Sequence, residues 1–437
     1  MTAPAAGGAR VVEHAVCLGC GCGCDDIAVV VRDGRIAEAR NACPRGRAWF
    51  GNGEVPARIL VRGEDAPLDR ALDEAASLLA RAARPLVLLA ADISCETQRA
   101  AAAIADRLHA LLDGDGTSAA LPSVLAAQRR GIASATLGEL RNRADVVLFW
   151  GTDPAARHPR WRERFLEPEG LQVGARASRT LVAVDVGERR GPADADARVT
   201  VAPERELALL DDLRAALRGR ALPDGATDAR TLAERLSGAR YLAIVYDAER
   251  AEGAGGAAPM DAMTGAREEG LVALAQALND VTRCALSALR AGGNRVGAEV
   301  VLTWQTGFPM AVDFARGWPR YRPEHPALAA LAAGEVDAAL LLGDARAMPR
   351  ALAERLAGVP SVVVGPRASE APVRPLVAVD TGVAGIHEGG SAVRMDDVPL
   401  PLRPALRHDR SALAIARALG DRLSETGVRD QGSGERA

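Results

Sequence analysis

Short apolar runs alternate with helical segments along most of this chain, and the alternation restricts the folds it can adopt. Residues 85–92 read PLVLLAAD, a continuous apolar run of strand length. Such runs are typical of strands that are buried on both faces of a sheet. Further runs of this kind lie at residues 146–150, 181–186, 242–246, 338–342 and 361–364. Helical segments separate most of them, which predicts α/β domains with mainly parallel sheets.

Three segments have the pattern of helices. Residues 66–83 carry an apolar stripe at helical spacing, and an Arg-Pro pair ends it. Residues 96–112 are predicted to form a second helix, which the sequence DGDGTS at residues 113–118 ends. Residues 411–423 predict a final helix that packs near the end of the chain.

The length of the chain indicates several domains. A chain of 437 residues exceeds one typical hydrophobic core, so two or three domains are expected. Residues 252–266, which are rich in glycine and alanine, form the clearest predicted loop or linker. The predicted division is residues 1–60 as a small cysteine-rich β lobe, 61–250 as an α/β domain, 251–424 as a second α/β domain with the C-terminal segment, and 425–437 as a disordered tail.

Composition and charge exclude several classes of function. An apolar content of 48% is typical of a soluble globular protein, and a net charge of −3 gives no reason to expect binding to nucleic acid or to an anionic membrane. A transmembrane helix is not expected, because no run of about 18 apolar residues is present. Residues 1–10 lack the apolar core of a signal peptide, which predicts a cytoplasmic protein with reduced cysteines.

The densest chemical signal lies in residues 17–43, which hold five of the seven cysteines. Cys17, Cys20 and Cys24 have the spacing C-x2-C-x3-C, and Cys43 follows after 18 intervening residues. Before the fourth, residues 27–31 and 35–39 predict two strands joined by an Asp-Gly turn. Because a hairpin returns to its origin, Cys43 is expected to lie beside Cys24.

Four converging thiolates suit a tetrahedral zinc ion or an iron–sulfur cluster, because soft sulfur ligands select both. The spacing does not choose between the two. Disulfides are disfavoured without export, and reduced thiols without a metal are the remaining alternative. Cys22 is then a spare thiol among the four candidate ligands.

A second candidate site is the loop at residues 149–160, FWGTDPAARHPR. It begins where a predicted buried strand ends, and ligands of open α/β sheets collect at the carboxyl ends of strands. Gly151 permits a close approach of the backbone, and Asp153 begins a turn. His158 and Arg160 offer hydrogen-bond donors suited to phosphate or carboxylate. The alternative is an ordinary strand-to-helix loop with surface charges.

Aromatic residues gather in one segment. The chain has 13 Phe, Trp and Tyr residues by its composition of 5, 5 and 3, and residues 301–321 hold Trp304, Phe308, Phe314, Trp318 and Tyr321. Glycine and proline prevent a long regular element there, which predicts ordered aromatic loops. Such loops line cofactor pockets or subunit interfaces, and burial in the core is the equal alternative.

Four segments, taken in order, carry a resemblance to a known family. They are the cysteine motif, WGTDPAARHPR, LTWQTGFPMAVDFARGWPRY and EGGSAVRMDDVPLPLR. Together they closely resemble the B subunit of formylmethanofuran dehydrogenase, which belongs to the molybdopterin oxidoreductase superfamily and is related to formate dehydrogenases. The resemblance implies a formate dehydrogenase-type arrangement of parallel-sheet domains. It also implies a [4Fe-4S] cluster, and a tungsten or molybdenum bis-pterin guanine dinucleotide where carbon dioxide and formate interconvert.

Site residues follow from this resemblance by position. Cys17, Cys20, Cys24 and Cys43 match the cluster ligands. The loop with Gly151, Asp153, His158 and Arg160 matches a pterin-side loop, although the family usually has asparagine at the position of Asp153. Cys95 matches a family cysteine that is not the metal ligand.

Two departures separate the chain from the redox members of the family. Where the family has a stretch like DNTSSVCHGPSVLALQ, residues 113–128 read DGDGTSAALPSVLAAQ, so Ala119 stands at the position of the metal-binding cysteine and Ala120 at that of a histidine. A methyl group cannot bind a metal. Where the family has a glycine-rich, pterin-facing turn, Asp247 and Glu249 follow the predicted strand. Acidic groups near cofactor phosphates are unfavourable unless they have partners.

These losses resemble the B subunit of the formyltransferase/hydrolase complex of methylotrophic bacteria. That complex has no redox step in its one-carbon metabolism: it moves a formyl group from formyl-tetrahydromethanopterin to a methanofuran-like carrier and hydrolyses it to formate. The transferase and hydrolase activities lie in other subunits. The resemblance therefore implies a non-redox structural subunit, without tungsten, molybdenum or pterin, whose partners are those subunits.

An oxidoreductase is the alternative, with Ser118 or Asp115 replacing the lost cysteine as metal ligand. Whether the chain is itself an enzyme is therefore open at the level of sequence. Residues 304–321 are the candidate surface for a partner subunit, because a chain that works within a complex is expected to expose an apolar patch.

Overall fold

A computed structural model describes residues 9–249 and 262–425 of the chain, without the side chains of residues 262–264. The strands of the described chain are β1 Arg10–Cys17, β2 Cys24–Arg32, β3 Arg35–Arg40, β4 Ile59–Val61, β5 Glu64–Asp65, β6 Pro85–Leu89, β7 Leu111–Gly114, β8 Val146–Trp150, β9 Thr180–Val186, β10 Ala197–Val201, β11 Leu242–Asp247, β12 Cys284–Leu289, β13 Val312–Asp313, β14 Arg320–Tyr321, β15 Ala338–Leu342, β16 Ser361–Gly365, β17 Val377–Asp380, β18 Gly390–Val393 and β19 Pro399–Leu402.

The helices of the described chain are α1 Pro44–Phe50, α2 Leu68–Arg81, α3 Cys95–Arg107, α4 Thr117–Arg130, α5 Leu137–Arg143, α6 Trp161–Phe165, α7 Glu206–Leu217, α8 Thr227–Ser237, α9 Ala262–Asn279, α10 Arg295–Thr306, α11 Ala327–Ala332, α12 Arg350–Leu356 and α13 Ala412–Glu425. None of these described helices is long and apolar enough to cross a membrane.

The described residues form two compact units, and each draws on separate parts of the chain. The first unit holds residues 9–118, 292–394 and 399–425, and the second unit holds the rest of the described chain. The predicted division at residues 60, 250 and 424 follows the chain instead and stays a prediction. The strands on either side of residue 250, β11 and β12, pair with each other within the second unit.

A nine-stranded sheet organises the first unit, in the order β14-β13-β7-β6-β15-β16-β17-β4-β5. Its five middle strands, β7 to β17 in that order, are parallel. Both faces of the sheet are covered. Val87 and Leu89 of β6 lie in a core with residues of α2, α3 and α13, whereas Leu86 and Leu88 lie in a core with residues of α11 and α12. The continuous apolar run at residues 85–92 is explained by this burial on both faces.

The second unit contains five parallel strands in the order β10-β9-β8-β11-β12. The predicted strands at residues 146–150, 181–186 and 242–246 are confirmed as β8, β9 and β11. Those at 338–342 and 361–364 are confirmed in the first unit as β15 and β16. The prediction of α/β architecture with mainly parallel sheets is therefore confirmed.

The helix predictions are confirmed at residues 66–83 and 411–423, where α2 and α13 lie. The prediction for residues 96–112 is wrong at its end, because α3 stops at Arg107 and Leu111–Gly114 is the strand β7. His109 adopts a left-handed conformation with φ 52°, which ends the helical path. Leu111 and Leu112 then pair with Leu86 and Val87 of β6.

Two composition-based predictions fall partly outside the described residues. The predicted loop at 252–266 is wrong over residues 262–266, which belong to α9, and its remaining residues lie outside the described chain. The predicted tail begins at Glu425, which is the last residue of α13, and residues 426–437 lie outside the described chain.

The cysteine-rich segment begins with the antiparallel sheet β1-β2-β3 in the first unit. The predicted hairpin is confirmed, since β2 and β3 pair across Asp33 and Gly34. Both turn residues have positive φ angles, 50° and 74°, which a two-residue turn of this hand requires. The hairpin thus returns the chain toward the start of β2, as the position of Cys43 requires.

Candidate functional site

The four candidate cluster cysteines lie at the ends of the first secondary-structure elements. Cys17 is the last residue of β1, Cys24 is the first residue of β2, and the two are directly opposite each other in the sheet. Cys20 lies in the connection between them, and Cys43 is the N-cap residue of α1. The hairpin therefore places four thiols within one small region of the first unit.

Burial, with smaller contributions from the charges of Cys24, Cys20 and Cys43, raises the pKa of the Cys17 thiol to about 12. A backbone hydrogen bond from Gly19 opposes this increase. The three other thiols are thus close enough to Cys17 to interact with it electrostatically. A bound cation would compensate the clustered thiolates, and its binding would release their protons.

Glycines keep space beside the thiols. A Cβ atom at Gly46 would lie 3.3 Å from the Cys17 sulfur and 3.8 Å from the Cys43 sulfur, and one at Gly19 would lie 3.4 Å from the Cys17 sulfur. The backbone N–H of Gly46 also donates to the Cys43 sulfur at 3.4 Å. Small residues and N–H donors around four thiols fit an inorganic group held by sulfur.

Four cysteine thiols in this region have the ligand chemistry of either inorganic group considered from the sequence, a zinc ion or an iron–sulfur cluster. Cys22, the predicted spare, is fully buried, and its sulfur lies within 4.8 Å of that of Cys20.

The second candidate site lies at the carboxyl ends of β8 and β11. These two strands are parallel neighbours, while the chain runs from β8 outward through β9 and β10 before it returns to β11. Such a reversal of strand order opens a crevice in which ligands of α/β sheets bind. The predicted loop at residues 149–160 begins here, as its position after a strand indicated.

Side chains of this loop have mixed surroundings. Gly151 has a φ angle of 57°, and its N–H donates to Val184 at 2.7 Å. The carboxylate of Asp153 accepts from the N–H of Ala155 at 3.0 Å, so it caps a short turn. Arg160 donates from Nη2 to Glu163 at 2.6 Å. The donor group of Arg160 is therefore already paired with a carboxylate.

His158 is buried, and neither of its ring nitrogens makes a hydrogen bond to a described residue. An imidazole buried in this way is costly unless another group compensates it. It remains a binding candidate of the loop, and its role stays a prediction.

The acidic residues after β11 have partners. Asp247 forms an ion pair with Nη2 of Arg157, whose Nη1 also donates to the carbonyl oxygen of Glu249 at 3.1 Å. The carboxylate of Glu249 pairs with Nε of Arg290 and accepts from the N–H of Ala291 at 3.0 Å. The expected penalty for isolated acidic groups at this position is thus avoided by two arginines of the same unit.

The presumed metal-ligand position lies in the first turn of α4. Ala119 is half-buried there, and Ala120 is buried. Of the two substitute ligands considered from the sequence, Asp115 accepts a hydrogen bond from Nε of Arg295 at 3.0 Å, and Ser118 is exposed. No described side chain at positions 119 or 120 can bind a metal.

A cluster that sequence reasoning missed lies at the carboxyl ends of β6 and β15, which are neighbouring strands of the first unit. Asp92 follows β6, and its Oδ1 accepts from the N–H of Asp344 at 2.8 Å. Burial raises the pKa of Asp92 to about 7. The signal was available, because the run PLVLLAAD ends in this aspartate. Nearby, Cys95 is buried, and Asn294 Nδ2 donates to its sulfur at 3.4 Å.

The aromatic segment divides into buried and exposed parts. Phe308 and Tyr321 stack with ring centroids 5.3 Å apart, and Phe314 is buried. Trp304 and Trp318 are 74% and 57% exposed. The prediction of ordered loops is wrong for Trp304, which lies in α10, and for Tyr321, which lies in β14. Burial in the core is confirmed for Phe314, and an interface role of the exposed tryptophans stays a prediction.

Comparison with known proteins identifies the family. No protein-family model matches the chain. Over 418 residues it is 31% identical to the B subunit of tungsten-containing formylmethanofuran dehydrogenase 2 from Methanocaldococcus jannaschii, and the match covers 91% of this chain and 94% of that protein. The chain belongs to the family of formylmethanofuran dehydrogenase B subunits. The protein of the same name from Methanococcus maripaludis is 30% identical over 433 residues, which cover 93% of this chain and 96% of the relative.

A bacterial relative is similar over nearly its whole length. The B subunit of the formyltransferase/hydrolase complex from Methylorubrum extorquens is 29% identical over 391 residues, which cover 84% of this chain and 98% of that protein. The crystal structure of that complex with methylofuran contains a chain of similar fold, with a TM-score of 0.69 and 26% identity. The match covers 85% of this chain and 100% of that chain.

The two candidate sites of this family member differ in the chemistry that their side chains offer. The cysteine region holds four thiols, the ligand type of zinc ions and iron–sulfur clusters. The carboxyl ends of β8 and β11 hold charges that are paired within the chain, and Ala119 has no metal-binding atom.

Proposed function

We propose that this chain is the B subunit of a formyltransferase/hydrolase complex and has a structural, non-redox role in it. The observation that carries the proposal is Ala119, a methyl side chain at the position of the presumed metal ligand. In the proposed complex the other subunits transfer a formyl group from formyl-tetrahydromethanopterin to a methanofuran-like carrier and hydrolyse it to formate. We further propose that the two units have the molybdopterin-oxidoreductase type of fold.

Neither substitute ligand is well placed for the lost cysteine. Asp115 is engaged with Arg295, so using it as a metal ligand would break a partly buried ion pair. Breaking such a pair costs several kcal/mol, on the order of 3–5. Ser118 presents a neutral hydroxyl to solvent and would have to lose its proton to bind a metal strongly. These contacts support the loss of the metal site rather than its replacement.

The cysteine region is proposed to hold a [4Fe-4S] cluster through Cys17, Cys20, Cys24 and Cys43. When bound, such a cluster supplies iron that neutralises four thiolates and can carry an electron. In a subunit without a redox partner at position 119, its role is to fix the lobe formed by β1, β2, β3 and α1. Metal-binding free energy can hold so small a segment folded.

Trp304 and Trp318 are proposed to contact a partner subunit. Tryptophan is enriched where protein surfaces bind each other, and two side chains of this size are costly to leave in water. The nearby stack of Phe308 and Tyr321 fixes the connection that follows α10 against β14. The exposed tryptophans therefore extend from an ordered part of the first unit.

Metal and pterin analysis of the purified complex tests the proposal. The complex is to be isolated with its own partner subunits, and its tungsten, molybdenum and iron are measured by mass spectrometry, with pterin measured by fluorescence after oxidation. We expect iron but no stoichiometric tungsten, molybdenum or pterin. The Methanocaldococcus jannaschii relative, processed in parallel, is the positive control. Stoichiometric tungsten or molybdenum together with pterin would overturn the non-redox role.

A working oxidoreductase is the second candidate, because two relatives that are 31% and 30% identical are named tungsten-containing formylmethanofuran dehydrogenase. It predicts formate-linked reduction of a viologen dye by protein prepared without oxygen and supplied with tungsten or molybdenum. The structural role predicts no such reduction. Dye reduction above that of the heat-inactivated protein would favour the oxidoreductase.

A further inference from the structure

We propose that Asp247 and Glu249 act as built-in replacements for ligand phosphates at the carboxyl ends of β8 and β11, and that they exclude nucleoside diphosphates from this edge of the second unit. The inference rests on the proposed non-redox function and deepens it. In this proposal, the two carboxylates close a binding position that this type of fold would otherwise leave available.

The position of these residues is where an open parallel sheet binds phosphates. Strands β8 and β11 are neighbours in parallel register, from Val146 opposite Leu242 to Trp150 opposite Tyr246. Gly151 follows β8 in a left-handed conformation, and a Cβ atom there would lie 3.4 Å from Nη1 of Arg189. Cationic side chains at this point of an α/β sheet are suited to bind a diphosphate.

Two of the arginines at this position pair with the acidic residues at the end of β11. Arg157 pairs with Asp247, and Arg290 pairs with Glu249. Carboxylates and phosphates use the same donor geometry of a guanidinium group. The two positive charges are therefore balanced by two negative charges, and an incoming diphosphate would meet the carboxylates at short range.

Burial makes this arrangement persistent. Glu249 and Arg290 are both buried, and the side chains of Asp247 and Arg157 are only 25% and 30% exposed. Glu249 also accepts from the N–H of Ala291, so its carboxylate is fixed by the backbone as well as by the arginine. Separating a buried pair leaves an uncompensated charge, so a phosphate cannot displace these carboxylates cheaply.

Titration of the full chain with GDP and, separately, with inorganic pyrophosphate tests the inference by calorimetry. The wild type is expected to bind neither with a dissociation constant below about 1 mM. The double variant Asp247→Asn/Glu249→Gln keeps the size of both side chains, removes their charges and replaces one acceptor oxygen of each with an NH2 group. We expect it to bind GDP at least about tenfold more tightly than the wild type. Addition of Arg157→Ala to this variant is expected to abolish the gain.

A matched control comes from the same unit. Asp194, between β9 and β10, pairs with Arg162, which also pairs with Glu167. Asp194→Asn therefore removes one carboxylate charge beside an arginine of the same unit and is expected to produce no binding. If the double variant fails to fold, Asp247→Asn alone leaves the buried Glu249–Arg290 pair intact and is expected to give a smaller gain. Binding by the wild type, or no gain in a folded variant, would overturn the inference. Neither result would alter the tungsten, molybdenum and pterin content that tests the proposed function.

Discussion

Substitution of Asp92 by asparagine should change how the stability of the first unit depends on pH. Asp92 lies after β6, and its Oδ1 accepts from the N–H of Asp344 at 2.8 Å. Burial, together with the neighbouring charges of Asp344 and Asp115, raises the pKa of this carboxyl from 3.8 to about 7. Asparagine keeps the hydrogen-bond acceptor and removes the ionisation. The variant therefore isolates the effect of the proton.

The sign of the effect follows from proton binding. Between pH 4 and 7 the folded protein holds a proton on Asp92 that the unfolded chain has released, so the free energy of unfolding falls as the pH rises through this range. Above the folded-state pKa the loss is complete and constant. A shift of about 3 pKa units corresponds to about 4 kcal/mol at most. Because the residue keeps some solvent contact, we expect a loss of about 1–3 kcal/mol.

Urea unfolding at pH 5, 6, 7 and 8, read by hydrogen exchange in peptides that contain β6 and β15, measures this loss. Asp92→Asn should become progressively more stable than the wild type as the pH rises to about 7. Asp194→Asn, read in peptides that contain β9 and β10 of the second unit, is a control whose difference from the wild type should stay constant between pH 5 and 8. The hydrogen bond from Arg162 lowers the pKa of Asp194 to about 2, so the stability it contributes is present above its unfolded pKa and lost only in acid. A constant difference between Asp92→Asn and the wild type across this pH range would refute the reasoning.

Three further predictions concern the cysteine lobe, the buried charges and the partner surface. Cys24→Ser should lower the iron content of the complex and the protease resistance of the lobe; unchanged resistance and assembly would contradict the structural role. The side chain of Arg267 is 2% exposed and pairs with two glutamates. The variant Arg267→Met should therefore lower the free energy of unfolding by about 3–5 kcal/mol. Urea unfolding should show partial recovery in Arg267→Met/Glu268→Gln, and no recovery would count against the pairing. Trp304→Ser should weaken assembly with partner subunits about tenfold in a binding titration, whereas Leu171→Ser, at an 86% exposed position, should not; equal effects would exclude the tryptophan surface.

The strands that could be predicted are those buried on both faces. Each residue of β6 is buried, and alternate residues pack into different cores, so the run is apolar without interruption. The Asp33-Gly34 turn was equally readable, because few residue pairs adopt two positive φ angles in succession. In both cases the structural requirement involves neighbouring residues, so a short stretch of sequence is enough to predict it.

Elements that depend on distant partners could not be predicted. Leu111 and Leu112 continue the apolar pattern of α3, and only their pairing with β6 makes them a strand. The strand β4 pairs with β17 at Val61 and Val377, which are far apart in the chain. Each of the two units is built from separate segments of the chain, and this division could not be predicted either, because it follows from the strand order and not from any local signal.

The candidate sites show the same division. The cysteine spacing and its hairpin are local, so the convergence of the thiols was open to prediction. The pairing of Arg157 with Asp247 joins positions 90 residues apart and requires that β8 and β11 be neighbours. Sequence reasoning placed one residue of this pair at a loop and the other at an acidic turn, without the strand order that brings them together.

Under the proposed function, the cysteine site is kept whereas the metal ligand at position 119 is lost, and this difference has a physical reason. The lobe that begins at Arg10 has a three-stranded sheet and one short helix, which is too little to form a stable core without another constraint. We therefore propose that its cysteines contribute to folding whether or not electrons are transferred. A metal ligand in the first turn of α4 contributes nothing to the helix, and alanine has the highest helix propensity of any residue. Loss of redox chemistry thus removes the requirement for a cysteine at position 119 but leaves the requirement for those at 17, 20, 24 and 43.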